Sequence, residues 1–197
     1  MGIFIKTIIA TWYIWGFILA AAIFRLFLPK IKGYFGERSV AFFLSRLDPS
    51  KYKVINNIML QFGRRTTQID HVVVSNYGIF VIETKNYKGW ILGNEYDEYW
   101  TQVIFKRKEK LRNPIKQNYV HIDALKEALN GQFPGIDYFS IVAFTTNARL
   151  QVKADSKVVY TINLVSEIKK YDDEIISDIY KEKIYTKLME YSKRKNK

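Results

Sequence analysis

The sequence predicts an α/β domain, a mixed sheet flanked by helices, carried behind one N-terminal helix long enough to cross a membrane. Two observations carry this prediction. Residues 7–24 form an uncharged run, TIIATWYIWGFILAAAIF. Downstream, an amphipathic helix, three extended segments broken by turn residues, a second amphipathic helix and a further extended segment follow in that order.

Composition sets the frame. The chain has 197 residues, 48% hydrophobic and 25% charged, enough for one ordinary core plus an appendage and too apolar for a disordered chain. Lysine and arginine number 31 against 19 acids, a net +12 that favours polyanions, either nucleic acid or anionic lipid headgroups, without choosing between them. There is no cysteine, which excludes disulfides, thiolate metal sites and a cysteine nucleophile.

The apolar run has the ~20-residue length needed to cross a ~30 Å hydrocarbon core. Lys6 precedes it, and Arg25, Lys30 and Lys32 follow, so the heavier positive flank is C-terminal and the main domain is expected on the cytoplasmic side of a single-pass protein. The alternative is a cleaved signal peptide, because Ala20, Ala21 and Ala22 offer small residues. Against it, the segment before the run has one lysine and the run exceeds a usual signal core. The expected division is an anchor and flank over 1–30, a core domain over 31–146, and a strand and helical extension over 147–197 packed on that core.

Beyond Pro29, residues 33–47 place Val40, Phe43, Leu44 and Leu47 at helical spacing, and Asp48-Pro49 ends the pattern. Extended segments are expected over 52–60, 68–75 and 79–85, with Asn76-Tyr77-Gly78 as a tight hairpin between the last two. Shorter strands are expected over 89–93 and 99–105, with a basic run behind them. Asn113 caps a helix that opens with Pro114 and ends near Asn130. Strands over 138–146 and 157–160, a short helix over 164–170 and a charged helix from about Glu174 complete the chain.

The informative chemistry is Gln68-Ile69-Asp70-His71 and Ile82-Glu83-Thr84-Lys85, which set charged groups inside apolar strand sequence. Such a group costs several kcal/mol unless it is paired, hydrogen-bonded or metal-bound. Glu83 and Lys85 project from one face of a strand. An even-numbered loop sets Asp70 opposite Glu83, two carboxylates that call for a cation between them; a three-residue loop sets His71 there instead. The sequence leaves both registers open. Oxygen ligands from Asp70 and Glu83, with the Thr84 carbonyl, suit Mg²⁺ or Mn²⁺. Lys85 would orient a metal-bound water or stabilise developing phosphorane charge.

The runs GERSVAFFLSRL, TQIDHVVVSNYGIFVIETKNYKGWILG and NPIKQNYVHIDAL resemble the NERD (nuclease-related) domain family, in spacing as well as residues, over about 33–129. That resemblance implies the restriction-endonuclease-like αβββαβ core of the PD-(D/E)XK nucleases and a Mg²⁺-dependent endonuclease acting on nucleic acid, with DNA as the expected substrate. By motif it implies Glu37 as the helix-borne acid, Asp70 as first metal ligand, Glu83 and Lys85 as the E-x-K pair, and Gln117 as a group positioning phosphate or water. Ile69 stands before Asp70 instead of proline, as the NERD pattern itself usually has.

Lys106, Arg107, Lys108, Lys110 and Arg112 are the expected phosphate-tracking residues, with a plain solvated loop as the alternative. His71 is expected to be a hydrogen-bonded strand residue, and His121 a helical position without a partner motif. Trp90 and Trp100 could stack bases, but core packing is the expectation for both. The competing functional readings are a membrane-tethered binding or scaffold module without turnover, and a basic protein that only lies on anionic lipid.

Overall fold

The structure, a computed structural model, describes Gly2 and residues 12–193. The predicted span over 7–24 therefore lies partly outside the described residues. The chain divides into two compact units, Met1–Phe35 and Gly36–Lys197.

In the first unit, helix α1 (Trp12–Leu44) begins, and it continues into the second. Its most apolar stretch has a mean hydropathy of 1.8 and is not buried at all, so the helix is long and apolar enough to cross a membrane. Residues 33–47 were expected to form a helix of their own beyond Pro29; up to Leu44 they instead continue the helix that begins at Trp12, with Pro29 inside it. The proline removes one backbone hydrogen bond without ending the helix, as apolar spanning helices tolerate.

The second unit is a mixed α/β fold with two sheets. After β1 (Tyr52–Phe62) come β2 (Arg65–Ser75), β3 (Gly78–Lys85), β4 (Gly89–Asn94), β5 (Tyr99–Ile104) and β6 (Arg107–Arg112). Helix α2 (Pro114–Leu129) leads to β7 (Tyr138–Phe144), β8 (Ala148–Lys153) and β9 (Lys157–Tyr160), then short α3 (Leu164–Ile168) and α4 (Asp178–Lys193). The first sheet has the order β1-β2-β3-β7-β9 and the second β6-β5-β4-β8. One mixed sheet was expected; the second arises because β3 and its parallel neighbour β7 each run on into a strand of the other sheet, β4 and β8, which also pair in parallel. The seam is stitched where the Thr145 N–H donates to the Lys85 carbonyl at 3.1 Å and the Gly89 N–H to the Asn147 carbonyl at 3.3 Å.

The first sheet is buried on both faces. Ile79 and Val81 of β3 pack with Ile122, Leu125 and Leu129 of α2 and with Ile184 and Leu188 of α4. Phe80 and Ile82 pack with Val40 and Leu44 of α1 and with Leu164 and Ile168. A third cluster sets Ile91 and Trp100 of the second sheet against Ile115 and Phe144. Helix α2 starts as expected: the Asn113 side chain accepts the Ile115 N–H, with Pro114 following.

The hairpin between β2 and β3 fixes the register. Ser75 pairs with Gly78 and His71 with Ile82, so the loop is the two residues Asn76-Tyr77. Gly78 has φ +130°, and a Cβ there would lie 2.6 Å from the Phe139 ring and 2.9 Å from the Asp137 carbonyl.

Candidate active site

Continued one step past His71 and Ile82, the β2–β3 register brings Asp70 opposite Glu83, the even-loop alternative. The ladder itself stops there. Asp70 instead turns its carboxylate onto the backbone of β3, where Oδ2 accepts the Thr84 N–H at 2.9 Å.

The strands change face at this point. The α2-side core takes Ile69 and Val72 from β2 and Ile55 and Ile58 from β1, residues three apart, which regular alternation forbids. The break in β1 falls at Asn57, whose φ of +59° is left-handed. In the β1–β2 register Asn57 falls across from Asp70, between the pairs Asn56 with His71 and Ile58 with Ile69.

Glu83, buried on the α2 side, lies in a network. Lys85 Nζ donates to its Oε1 at 2.5 Å and to Gln117 Oε1 at 3.1 Å. His121 Nε2 lies 3.1 Å from Glu83 Oε2, and His121 Nδ1 lies 3.0 Å from Thr67 Oγ1. Gln117 and His121 are one helical turn apart on α2, so both reach the same carboxylate-lysine pair. Asn118, on the same helix, ties α2 to the sheet by donating to the carbonyls of Val81, at 2.8 Å, and Ile141, at 3.3 Å.

Glu37 reaches the site on α1 through Gly36. A Cβ at Gly36 would stand 2.8 Å from Asn86 Cβ and 3.5 Å from Thr84 Cγ2, so only glycine lets the helix come this close to the end of β3. The Glu37 charge is felt at Asp70.

The electrostatics are uneven. Burial, with the charges of Glu83 and Glu37, pushes the Asp70 carboxyl up to about 7, against the opposing Thr84 N–H and Lys85. Burial also pushes Glu83 upward, but His121 and Lys85 outweigh it and hold its carboxyl below the usual range. Burial acts to lower Lys85, and Glu83 overcomes this, so its ammonium is held charged above the ordinary lysine range.

The donor set fits a hard divalent cation. Asp70 feels the charges of two other acids, Glu83 and Glu37, and the neighbouring residue Thr84 carries a buried Oγ1 with no hydrogen-bond partner. Among the described residues no three His, Cys, Asp or Glu side chains form a ready-made cage. That is compatible with Mg²⁺, which is usually held by one or two carboxylates and keeps several waters.

The structure thus brings Glu37, Asp70, Glu83, Thr84, Lys85 and Gln117 to one end of β3. His121 joins them, contrary to the expectation that it had no partner; its four-residue spacing from Gln117 was the available signal. His71 keeps one hydrogen bond, Nδ1 to Asn56 Oδ1 at 2.8 Å, and burial pulls its imidazole down to about 4. Its Nε2 is buried without a partner. Trp100 is core as expected, whereas Trp90 is exposed.

The basic run is not a loop. Arg107, Lys108, Lys110 and Arg112 belong to β6, the edge of the second sheet, and Lys106 is at the hairpin tip beside Phe105.

An uncharacterized protein of Bacillus anthracis is 40% identical over 161 residues, covering 80% of this chain and 76% of the relative. No solved structure matches the chain. The family model of the nuclease-related domain matches residues 32–145, a span that holds Glu37, Asp70, Glu83, Lys85, Gln117 and His121, and the chain belongs to the NERD, nuclease-related domain, family.

Proposed function

We propose that the protein is a membrane-anchored, Mg²⁺- or Mn²⁺-dependent nuclease that hydrolyses phosphodiester bonds, with DNA as substrate and endonucleolytic action. The observation that carries this reading is the crowding of the buried Asp70 carboxyl with Glu83 and Glu37 at one end of β3, beside Lys85. A cation ligated by Asp70, Glu83 and Thr84 relieves that crowding of negative charge.

When bound, the metal supplies an activated water and neutralises phosphate charge. The chain's own residues do the rest. Lys85, held charged, is poised to stabilise the extra negative charge of the phosphorane and is unsuited to accepting a proton. The Lys85 ammonium is held between Gln117 Oε1 and Glu83 Oε1, both of which accept from it. His121 and Thr67 fix the Glu83 carboxylate, making His121 a positioning residue. The cations of β6 and Lys106 provide phosphate contacts. Arg25, Lys30 and Lys32 behind the apolar stretch support a cytoplasmic placement of the core.

One observation favours the second reading, a tethered binding module without turnover. Both oxygens of Glu83 already have partners, Lys85 on one and His121 on the other. The experiment is incubation of wild type and Lys85→Ala with plasmid, linear and single-stranded DNA and with RNA, in Mg²⁺, Mn²⁺ or EDTA. Metal-dependent cleavage that disappears in Lys85→Ala supports the nuclease. Salt-sensitive binding without cleavage under every condition sinks it and leaves the module.

A further inference from the structure

The second sheet has a face that the core does not use. Ile91, Trp100 and Ala148 point inward and pack on Ile115 and Phe144. The alternate positions point outward. There the register sets Trp90 between Val103 and Arg149, Lys108 beyond Val103, Lys110 beside Thr101 and Arg112 opposite Tyr99. Two aromatic rings and four cations therefore share one surface. The one acid in these four strands, Glu109, stands opposite Gln102, on the inward parity.

The rings are open to a ligand, Trp90 being 41% and Tyr99 54% exposed. Each carries a cation: the Arg149 guanidinium lies 5.4 Å from the Trp90 ring centroid, and Lys110 Nζ 5.8 Å from that of Tyr99. Aromatic faces laid on a sheet between cations are the arrangement that receives unpaired bases, because every base has a π-face and every nucleotide a phosphate. A guanidinium plane is itself a stacking surface. A duplex hides its base faces and would use only the charges. An anionic bilayer also takes up such rings at its interface, so anionic vesicles are a competitor in the test.

We propose that this outer face is a stacking platform for single-stranded nucleic acid, with Trp90 and Tyr99 each taking a base and Lys108, Lys110, Arg112 and Arg149 the flanking phosphates. The proposal deepens the nuclease reading and rests on it for the identity of the polyanion. Trp90 follows Lys85 by five residues, a chain path of at most about 18 Å. A strand held on the platform is thus within reach of the candidate site.

The test uses the full-length protein in neutral detergent with EDTA, and reads binding of a labelled mixed-sequence single-stranded oligonucleotide by anisotropy. The same sequence as duplex and phosphatidylglycerol vesicles serve as competitors. The platform predicts preference for the single strand, a roughly tenfold rise in Kd for Trp90→Ala, a larger rise for Trp90→Ala with Tyr99→Ala, and a smaller one for Trp90→Phe. Arg149→Gln should lower the salt dependence of binding. Wild-type affinity in the double variant, duplex binding as tight as single-strand binding, or displacement of the oligonucleotide by vesicles would overturn it.

A parallel cleavage assay in Mg²⁺ separates the two readings. Lys85-dependent cleavage with Trp90-independent binding overturns the platform alone. Trp90-dependent binding without any cleavage keeps the platform and overturns the nuclease alone.

Discussion

His121 Nε2 faces Glu83 Oε2 across 3.1 Å, from a helix separated in sequence by three other strands from the one it serves. The contact is buried, and Thr67 occupies the other ring nitrogen. His121→Ala should leave a buried carboxylate with one partner fewer, costing about 1–3 kcal/mol of stability. If the nuclease reading holds, kcat should fall about 10–100-fold with little change in oligonucleotide affinity, the mark of a positioning residue. Denaturant melts and single-turnover cleavage check both; unchanged kcat in a folded variant sinks the role.

Lys85 and Glu83 form a buried pair, so removing one partner is worse than removing both. Lys85→Met should destabilise by about 2–4 kcal/mol, and Glu83→Gln in the same chain should recover part of that loss. Glu83, held low, contributes stability present above its ordinary value of 4.5 and lost as pH falls through its folded value. Lys85, held high, contributes stability present below 10.5 and lost as pH rises through its folded value. Urea midpoints of wild type, Lys85→Met, Glu83→Gln and the double variant across pH 3–11 read the pair directly.

Asp70 works with the opposite sign. Its folded value of about 7 exceeds 3.8, so the folded state holds a proton that the unfolded chain has released. Metal-free protein should therefore lose stability as pH rises from about 4 to about 7, by an order of 2–4 kcal/mol, and lose no more from this group above that. Asp70→Asn should flatten the slope. Adding Mg²⁺ at pH 8 should raise the Tm of wild type and leave Asp70→Asn unmoved.

Gly78 fixes the register on which Asp70 and Glu83 depend. Gly78→Ala puts a Cβ 2.6 Å from Phe139 at a φ that side chains rarely adopt. A loss of about 2–4 kcal/mol is expected, measured by thermal and urea melts, and a loss under 1 kcal/mol would show that the turn relaxes without cost.

Asn57 is the strained residue across from Asp70. Asn57→Gly should be tolerated within about 1 kcal/mol, whereas Asn57→Val should cost about 1–3 kcal/mol and weaken cleavage further by moving Asp70. Equal melts for the two variants would sink the idea that the left-handed backbone is required.

Local sequence made much of this legible. A hairpin at Asn76-Tyr77-Gly78 and the Asn113 cap follow from nearby residues, whereas the choice between Asp70 and His71 opposite Glu83 stayed open until the register showed a two-residue loop. Strand β8 was missed although Ala148, Leu150 and Val152 alternate with Arg149, Gln151 and Lys153, a regular period of two. Strand β6 was illegible for a better reason: it is an edge strand whose apolar contribution is Leu111 alone. The four-residue spacing from Gln117 put His121 on the right face of α2, but its contact with Glu83, 38 positions away, follows only from the packing of α2 on β3.

The seam between the sheets ties two distant stretches of sequence to one length. Residues 86–88 and 145–147 cross side by side, joined by Thr145 to Lys85, Gly89 to Asn147 and the Thr145 hydroxyl to Asn86 at 2.9 Å. A deletion in one crossing must be matched in the other, or the parallel strands that continue from them fall out of step. Relatives are thus expected to vary in length at Phe105-Lys106, where the hairpin turns in solvent, and to covary in length at the two crossings.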